Sequence, residues 1–212
     1  MTRVLGIIAA AAIILLFATL MIVIMPSMQT QTRSKPSEGL KPYSEQALRG
    51  RAVYVDLGCV YCHSQQPRDP AQAPDGARGW GRPSVPGDYA FDNPHLLGTM
   101  RTGPDLLNIG ARQPSVDWHL AHLYNPRAVV PGSTMPAYPF LFEEMLEKLP
   151  ADVEVKLPAE FAPTSRMIAT QRALDLVQYL KELDRTYPTK AIPTIEKSPA
   201  GAPAQSGAGD AP

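Results

Sequence analysis

Only two cysteines occur in the 212 residues, and they stand three positions apart. There is no second C-x-x-C, so the paired half-sites of a structural zinc centre are missing. Charge bias is also absent. The 20 basic and 20 acidic side chains cancel, which excludes the positive footprint that nucleic acid requires and gives no preference between acidic and basic partners. No internal repeat is visible. No Ser/His/Asp set, carboxylate pair or phosphate loop stands out, so nothing supports catalysis by side chains alone. Strand patterns are poorly supported. What the chain has in quantity is proline and glycine, 23 and 15 residues, and these predict an all-α fold whose helices are separated by long irregular segments.

The two cysteines lie in Cys59-Val60-Tyr61-Cys62-His63. A C-x-x-C-H run is the attachment signature of c-type haem. Two thiols at this spacing can add across the vinyl groups of one haem, and the following histidine then sits under the iron as an axial ligand. Cys59 and Cys62 are therefore candidate thioether positions and His63 a candidate iron ligand. A thioredoxin-like dithiol is the competing reading. It needs a βαβ setting, which the flanks do not suggest. With both cysteines on haem, none remains for a disulfide.

Val4 to Met25 contains no charged residue. These 22 residues span roughly 33 Å as a helix, enough to cross a bilayer core. A cleaved signal peptide would have a shorter apolar region and small residues at a cleavage site, whereas this run ends in Met25-Pro26-Ser27-Met28. The expectation is a retained single-pass anchor. Arg33, Lys35 and Lys41 follow it, and by the positive-inside rule they argue for the opposite orientation. Bacterial c-type haem is attached outside the cytoplasmic membrane, and that requirement decides. The N-terminus is expected in the cytoplasm and the haem domain in the periplasm, at the inner membrane.

The expected organisation is an anchor over 1–25, a periplasmic tether over 26–43, a haem domain over 44–187 and a disordered Pro/Ala/Gly-rich tail over 188–212. Ser44 caps a helix that runs to about Leu57 and leads into the haem motif. Residues 64–102 read as loop, with a length that calls for a function such as packing on another protein. Further helices are expected over Val116–Tyr124, capped by Ser115, over Phe140–Leu149, and over Ser165–Leu183 as the longest of the soluble part.

The iron needs a sixth ligand. Met135 follows a rigid Pro131-Gly132 turn, a setting that suits a thioether pushed into a crevice. Met145 and Met167 fall on predicted helices and read as packing, and Met100 lies too near Pro104 to reach the far haem face. His119 and His122, three apart on one helix, lack a third metal partner.

Gly103-Pro104-Asp105-Leu106 after the haem motif, then Leu123-Tyr124-Asn125-Pro126 and Pro131-Gly132-x-x-Met135, resemble class I cytochrome c in order and type. So do Gly50 and Tyr54 on a first helix facing Tyr179 on a last one. The resemblance implies that Pro104 orients His63, that Met135 completes the iron coordination, and that first and last helices cross at Gly50. A His/Met pair raises the reduction potential. Arg101 is a candidate propionate contact.

A narrower resemblance covers about half the chain, from about Lys41 to Phe140. Gly58-Cys59-x-x-Cys62-His63-Ser64-Gln65, Gly98-Thr99-x-Arg101-Thr102-Gly103-Pro104-Asp105-Leu106, Asp117-Trp118-His119-x-x-His122-Leu123 and Met135-Pro136-x-Tyr138-Pro139 are similar to the mono-haem subunit of cbb3-type cytochrome c oxidases. That family implies one covalent haem c and no catalysis by the chain itself. It implies as partners a haem–copper catalytic subunit, a di-haem cytochrome c subunit and a donor cytochrome c. Gln66 to Gln72 departs from the family's basic and aromatic stretch at this place. That leaves a nitric-oxide-reducing relative open, and a haem-based gas sensor is the rival from another class.

Overall fold

The computed structural model describes residues 2–33, 35–147 and 149–189. Of the expected tail, residues 190–212 lie outside the described residues.

The N-terminal helix does not stop where its apolar run does. It passes through α1 (Thr2–Thr19), a π-helical turn (Leu20–Ile24) and α2 (Met25–Arg33). The π turn sits just before Pro26, where a backbone donor is lost and the hydrogen-bond register must adjust. The most apolar 18-residue stretch within Arg3–Gln29 has a mean hydropathy of 3.1 and is unburied. The expected tether, 26–43, is therefore helical over 26–33, nearly its first half, and its later part is tied down. Ser37 donates from its backbone N–H to the Gly87 carbonyl (3.1 Å) and from its hydroxyl to Asp88 (3.0 Å).

The exported part is organised by two crossed helices, α3 (Glu45–Asp56) and α7 (Gln171–Glu182). Ser44 caps α3 by accepting from the Ala47 N–H, and Thr170 caps α7 by accepting from that of Ala173. The helices touch backbone to backbone at Gly50. A Cβ there would stand 1.8 Å from the Asp175 carbonyl oxygen, so only glycine permits the crossing. Tyr54 and Tyr43 each meet Tyr179 with ring centroids 5.5 Å apart, and Arg49 closes the crossing with an ion pair to Asp175 at 2.9 Å. Ala47, Val53, Tyr54, Leu176, Val177, Tyr179 and Leu183 form the centre of the core. Around it lie the short α4 (Ile109–Arg112), α5 (Val116–Tyr124, capped by Ser115 as expected) and α6 (Pro126–Val129).

Two expected helices are replaced in whole or part by strand. Phe140–Leu149 is a 3-10 turn (Pro139–Leu141) followed by β1 (Phe142–Met145), and β2 (Arg166–Ala169) occupies the beginning of the expected 165–183 helix. The strands pair antiparallel with Phe142 opposite Ala169. Thr170 locks the junction, donating to the Leu141 carbonyl from both its N–H (3.0 Å) and its hydroxyl (2.8 Å). Its capping role starts α7 at Gln171, which excludes helix over 166–169. Periodicity suggested helix for both stretches, but pairing across twenty intervening residues wins. Among the described residues the fold is thus predominantly helical, with one small hairpin.

Residues 64–102 have almost no regular structure, yet four buried carboxylates hold the segment and its end. Asp75 accepts from Arg101 and from the Arg68 N–H. Asp88 accepts from Arg82, Ser37, Tyr187 and the Val85 N–H. Asp92 takes Arg51 and Tyr43. Asp105 takes the Ser64 hydroxyl and the N–H groups of Gln66 and Leu107. Here buried carboxylates satisfy backbone and side-chain donors that a helix or sheet would otherwise pair.

Candidate functional site

The haem motif begins where α3 ends. Gly58 takes a left-handed conformation (φ 69°) and turns the chain into the 3-10 turn Cys59–Tyr61. The N–H groups of Cys62 and His63 both donate to the Cys59 carbonyl, at 3.1 and 3.0 Å. Cys59 is half-buried and Cys62 exposed, and the two are not joined as a disulfide. Burial pushes the Cys59 thiol up to about 11. A redox dithiol needs the opposite, a stabilised thiolate, so the chemistry of the pair speaks against the thioredoxin-like reading.

His63 Nδ1 lies 2.7 Å from the Pro104 carbonyl oxygen. A carbonyl only accepts, so Nδ1 carries the proton. Burial holds the imidazole below its ordinary pKa, so the ring is neutral and Nε2 presents a lone pair, the form in which histidine binds a metal. Gly103 makes room for it. A Cβ on Gly103 would stand 2.2 Å from His63 Cε1, and the Gly103 N–H donates to the Cys62 carbonyl at 3.0 Å. Sequence reasoning used Gly103 only as part of a motif; its steric role became visible with the packing.

Met135 lies on the loop after α6, half-buried against the core cluster that Cys59 and Val60 also touch. The loop is pinned by the Tyr138 N–H donating to the Leu123 carbonyl at the end of α5 (2.8 Å) and by the Ser133 N–H donating to Val130 (3.1 Å). Of the other candidates, Met100 is exposed, and Met145 and Met167 lie on β1 and β2 rather than on helices, Met167 packed against the same core cluster.

Arg101, the candidate propionate contact, is engaged with the long loop. Its guanidinium bonds Asp75 at 2.5 and 2.6 Å, the Ser64 hydroxyl at 3.1 Å and the Gln66 carbonyl at 2.7 Å, and it stacks on Trp80. These bonds close the long loop. A second arginine, not singled out from the sequence, lies near the haem motif. Arg112 bonds the Asp105 carbonyl through one nitrogen (2.7 Å), keeps a buried Nε without a partner, and lies close enough to His63 to act on its charge. His119 is used within the fold, its Nε2 bonded to the Gln113 carbonyl at 2.8 Å. His122 stacks flat on Trp118 (4.7 Å, 8°) with a buried, unpartnered Nδ1, and burial lowers it to about 4. Two thiols, a neutral proton-fixed imidazole and two orphaned buried polar groups beside it suit a covalent, carboxylate-bearing haem.

Across residues 2–189 the chain matches the family model described as FixO, cytochrome c oxidase, mono-heme subunit. The chain belongs to this family. Among curated proteins no match was found. As a FixO-family subunit it is a membrane-anchored mono-haem c-type cytochrome, carrying one covalent haem c on its C-x-x-C-H motif. It is an electron carrier and not an enzyme in its own right. Its single N-terminal helix holds a periplasm-facing domain at the inner membrane.

Proposed function

We propose that this subunit relays single electrons from a donor cytochrome to the haem–copper catalytic subunit of a cbb3-type oxidase, within a complex that also holds a di-haem cytochrome c subunit. The observation that carries the reading is the contact between His63 and Pro104 beneath the C-x-x-C-H motif. It prepares a neutral imidazole of fixed orientation, and an acceptor behind a ligand strengthens that ligand. Cys59 and Cys62 hold the cofactor covalently, and His63 and Met135 supply the two axial ligands. Pro104 fixes the His63 tautomer, and Arg112, in place of Arg101, faces the propionates. The haem, when bound, stores one electron, and ligation by a thioether and an imidazole sets it at high potential. The chain contributes placement, exclusion of exogenous ligands and a membrane-fixed position. The long loop over 64–102, made rigid by its buried carboxylates, is the surface that packs on the catalytic subunit.

Extraction in mild detergent tests the assignment. A large haem–copper subunit should co-purify with the chain, and its absence would overturn the reading. The reduced chain should also leave carbon monoxide unbound, because both axial positions are filled; ready binding would instead indicate a gas-binding haem.

A further inference from the structure

The hairpin is used by nothing above. Residues 142–169, from the start of β1 to the end of β2, hold six acidic side chains and three basic ones, in a chain whose net charge is zero. Glu143 and Glu144 are exposed on β1. Lys156 is bound to Asp117 on α5 at 2.6 Å and Arg166 faces Glu154 at 4.0 Å, and the hairpin's own carboxylates remain in excess. Apolar side chains stand among them: Leu146 is 95 % exposed and Phe140, at the foot of β1, 63 %. This face is next to the haem motif. The Phe140 ring lies 5.8 Å from that of Tyr138, and Tyr138 packs against the same core cluster as Cys59 and Val60. Glu143 is three residues beyond Phe140, so it stands within about 11 Å of it along the chain.

We propose that this acidic hairpin, with Phe140 and Leu146 as its apolar centre, is the docking surface for a soluble, lysine-rich electron-donor protein. The inference rests on the electron-relay reading and names the side from which the electrons come. Charge complementarity selects the occupant. Permanent interfaces are depleted of Glu and Asp at their cores, whereas an acidic rim around a small apolar centre speeds the encounter with a basic partner and lets it leave. Redox encounters are of this small, transient kind.

The test uses the whole detergent-extracted complex. Reduction of its haem by a prereduced, lysine-rich class I cytochrome c is followed by stopped flow at low and at physiological salt. The double variant Glu143→Lys/Glu144→Lys should slow the low-salt reaction about tenfold and flatten its salt dependence. Reduction by a small uncharged hydroquinone should not change. The milder Glu143→Gln/Glu144→Gln should fall between, and serves if the lysine variant does not fold. An unchanged rate with the cytochrome, while electrons still pass onward to the catalytic subunit, overturns the docking surface alone. Loss of the co-purifying subunits would show a permanent interface and overturn it as well. If wild-type haem reduced by the hydroquinone passes no electrons onward, the relay reading itself fails, and the docking proposal with it.

Discussion

Gly103 and His63 are in contact such that a single added methyl group would land 2.2 Å from the imidazole Cε1. The glycine is therefore the wall against which the ligand rests. Gly103→Ala should leave the thioethers intact, because Cys59 and Cys62 are untouched. The ring, however, must move away from the Pro104 carbonyl, and the axial bond should weaken. The expected outcome is covalent haem with a raised high-spin fraction in its optical spectrum, and a stability loss of about 1–3 kcal/mol from overpacking. A spectrum identical to wild type would mean that the loop yields instead of the ring.

Met135 is the second ligand in the proposed site, and its substitution separates that role from packing. Met135→Ala should keep haem attached, abolish the His/Met optical signature, lower the reduction potential and open the iron to carbon monoxide. If the signature and potential both persist, the sixth ligand is another residue. Met100, Met145 and Met167 are exposed or lie on the hairpin strands, which makes Met135 the first to test.

The local parts of this molecule were legible in the sequence. The C-x-x-C-H run and the Ser44 and Ser115 caps depend on residues close in sequence, whereas the Gly50/Tyr179 crossing was implied only by the resemblance to class I cytochrome c. What escaped depends on partners far away. Phe142 pairs with Ala169, and no window of ten residues contains that information, so an amphipathic pattern read as helix. Arg101 and Arg112 are eleven residues apart and look equally suited to a propionate. The structure gives them different partners, the Asp75 carboxylate for Arg101 and the Asp105 carbonyl for Arg112. Ser37 looked like part of a tether because its acceptor, Asp88, lies fifty-one residues on.

The two arginines should respond differently to neutralisation. Arg101→Gln leaves the buried Asp75 without its cation, and removing one partner of a buried pair costs about 3–5 kcal/mol. The haem potential should hardly move. Arg112→Gln removes a positive charge near His63, which favours the oxidised haem. The potential should fall by roughly tens of millivolts, with a smaller effect on melting. Redox titration and thermal denaturation of the two variants side by side check the division. A larger potential shift in the Arg101 variant would restore the original expectation for that residue.

Asp88 joins three parts of the chain that are distant in sequence: the segment leaving the membrane through Ser37, the long loop through Arg82, and the C-terminal end of the domain through Tyr187. Burial alone would raise its pKa, but hydrogen bonds and the Arg82 charge outweigh that, and the carboxyl stays below its ordinary value. Asp75 is depressed in the same way by Arg101 and the Arg68 N–H. The sign of the linkage follows. Both groups contribute stability that is complete above the ordinary carboxylate pKa of about 4 and is lost as pH falls through the depressed native values. Thermal stability should therefore begin to fall below about pH 6.5, where the unfolded chain protonates His119 and His122 while burial holds both near 4 in the fold, and should drop further as pH falls through the carboxylate range. Asp88→Asn should cost about 3 kcal/mol at neutral pH, near the low end for a broken buried pair because Arg82 keeps some contact with water. It should also flatten the acid limb of the stability curve, since one of the titrating groups is gone. The same substitution should increase hydrogen exchange at the Ser37 amide, which donates to Gly87 beside Asp88. Unchanged exchange there would show that the membrane-proximal segment is held by the backbone bond alone, and that the haem domain owes nothing of its fixed position to Asp88.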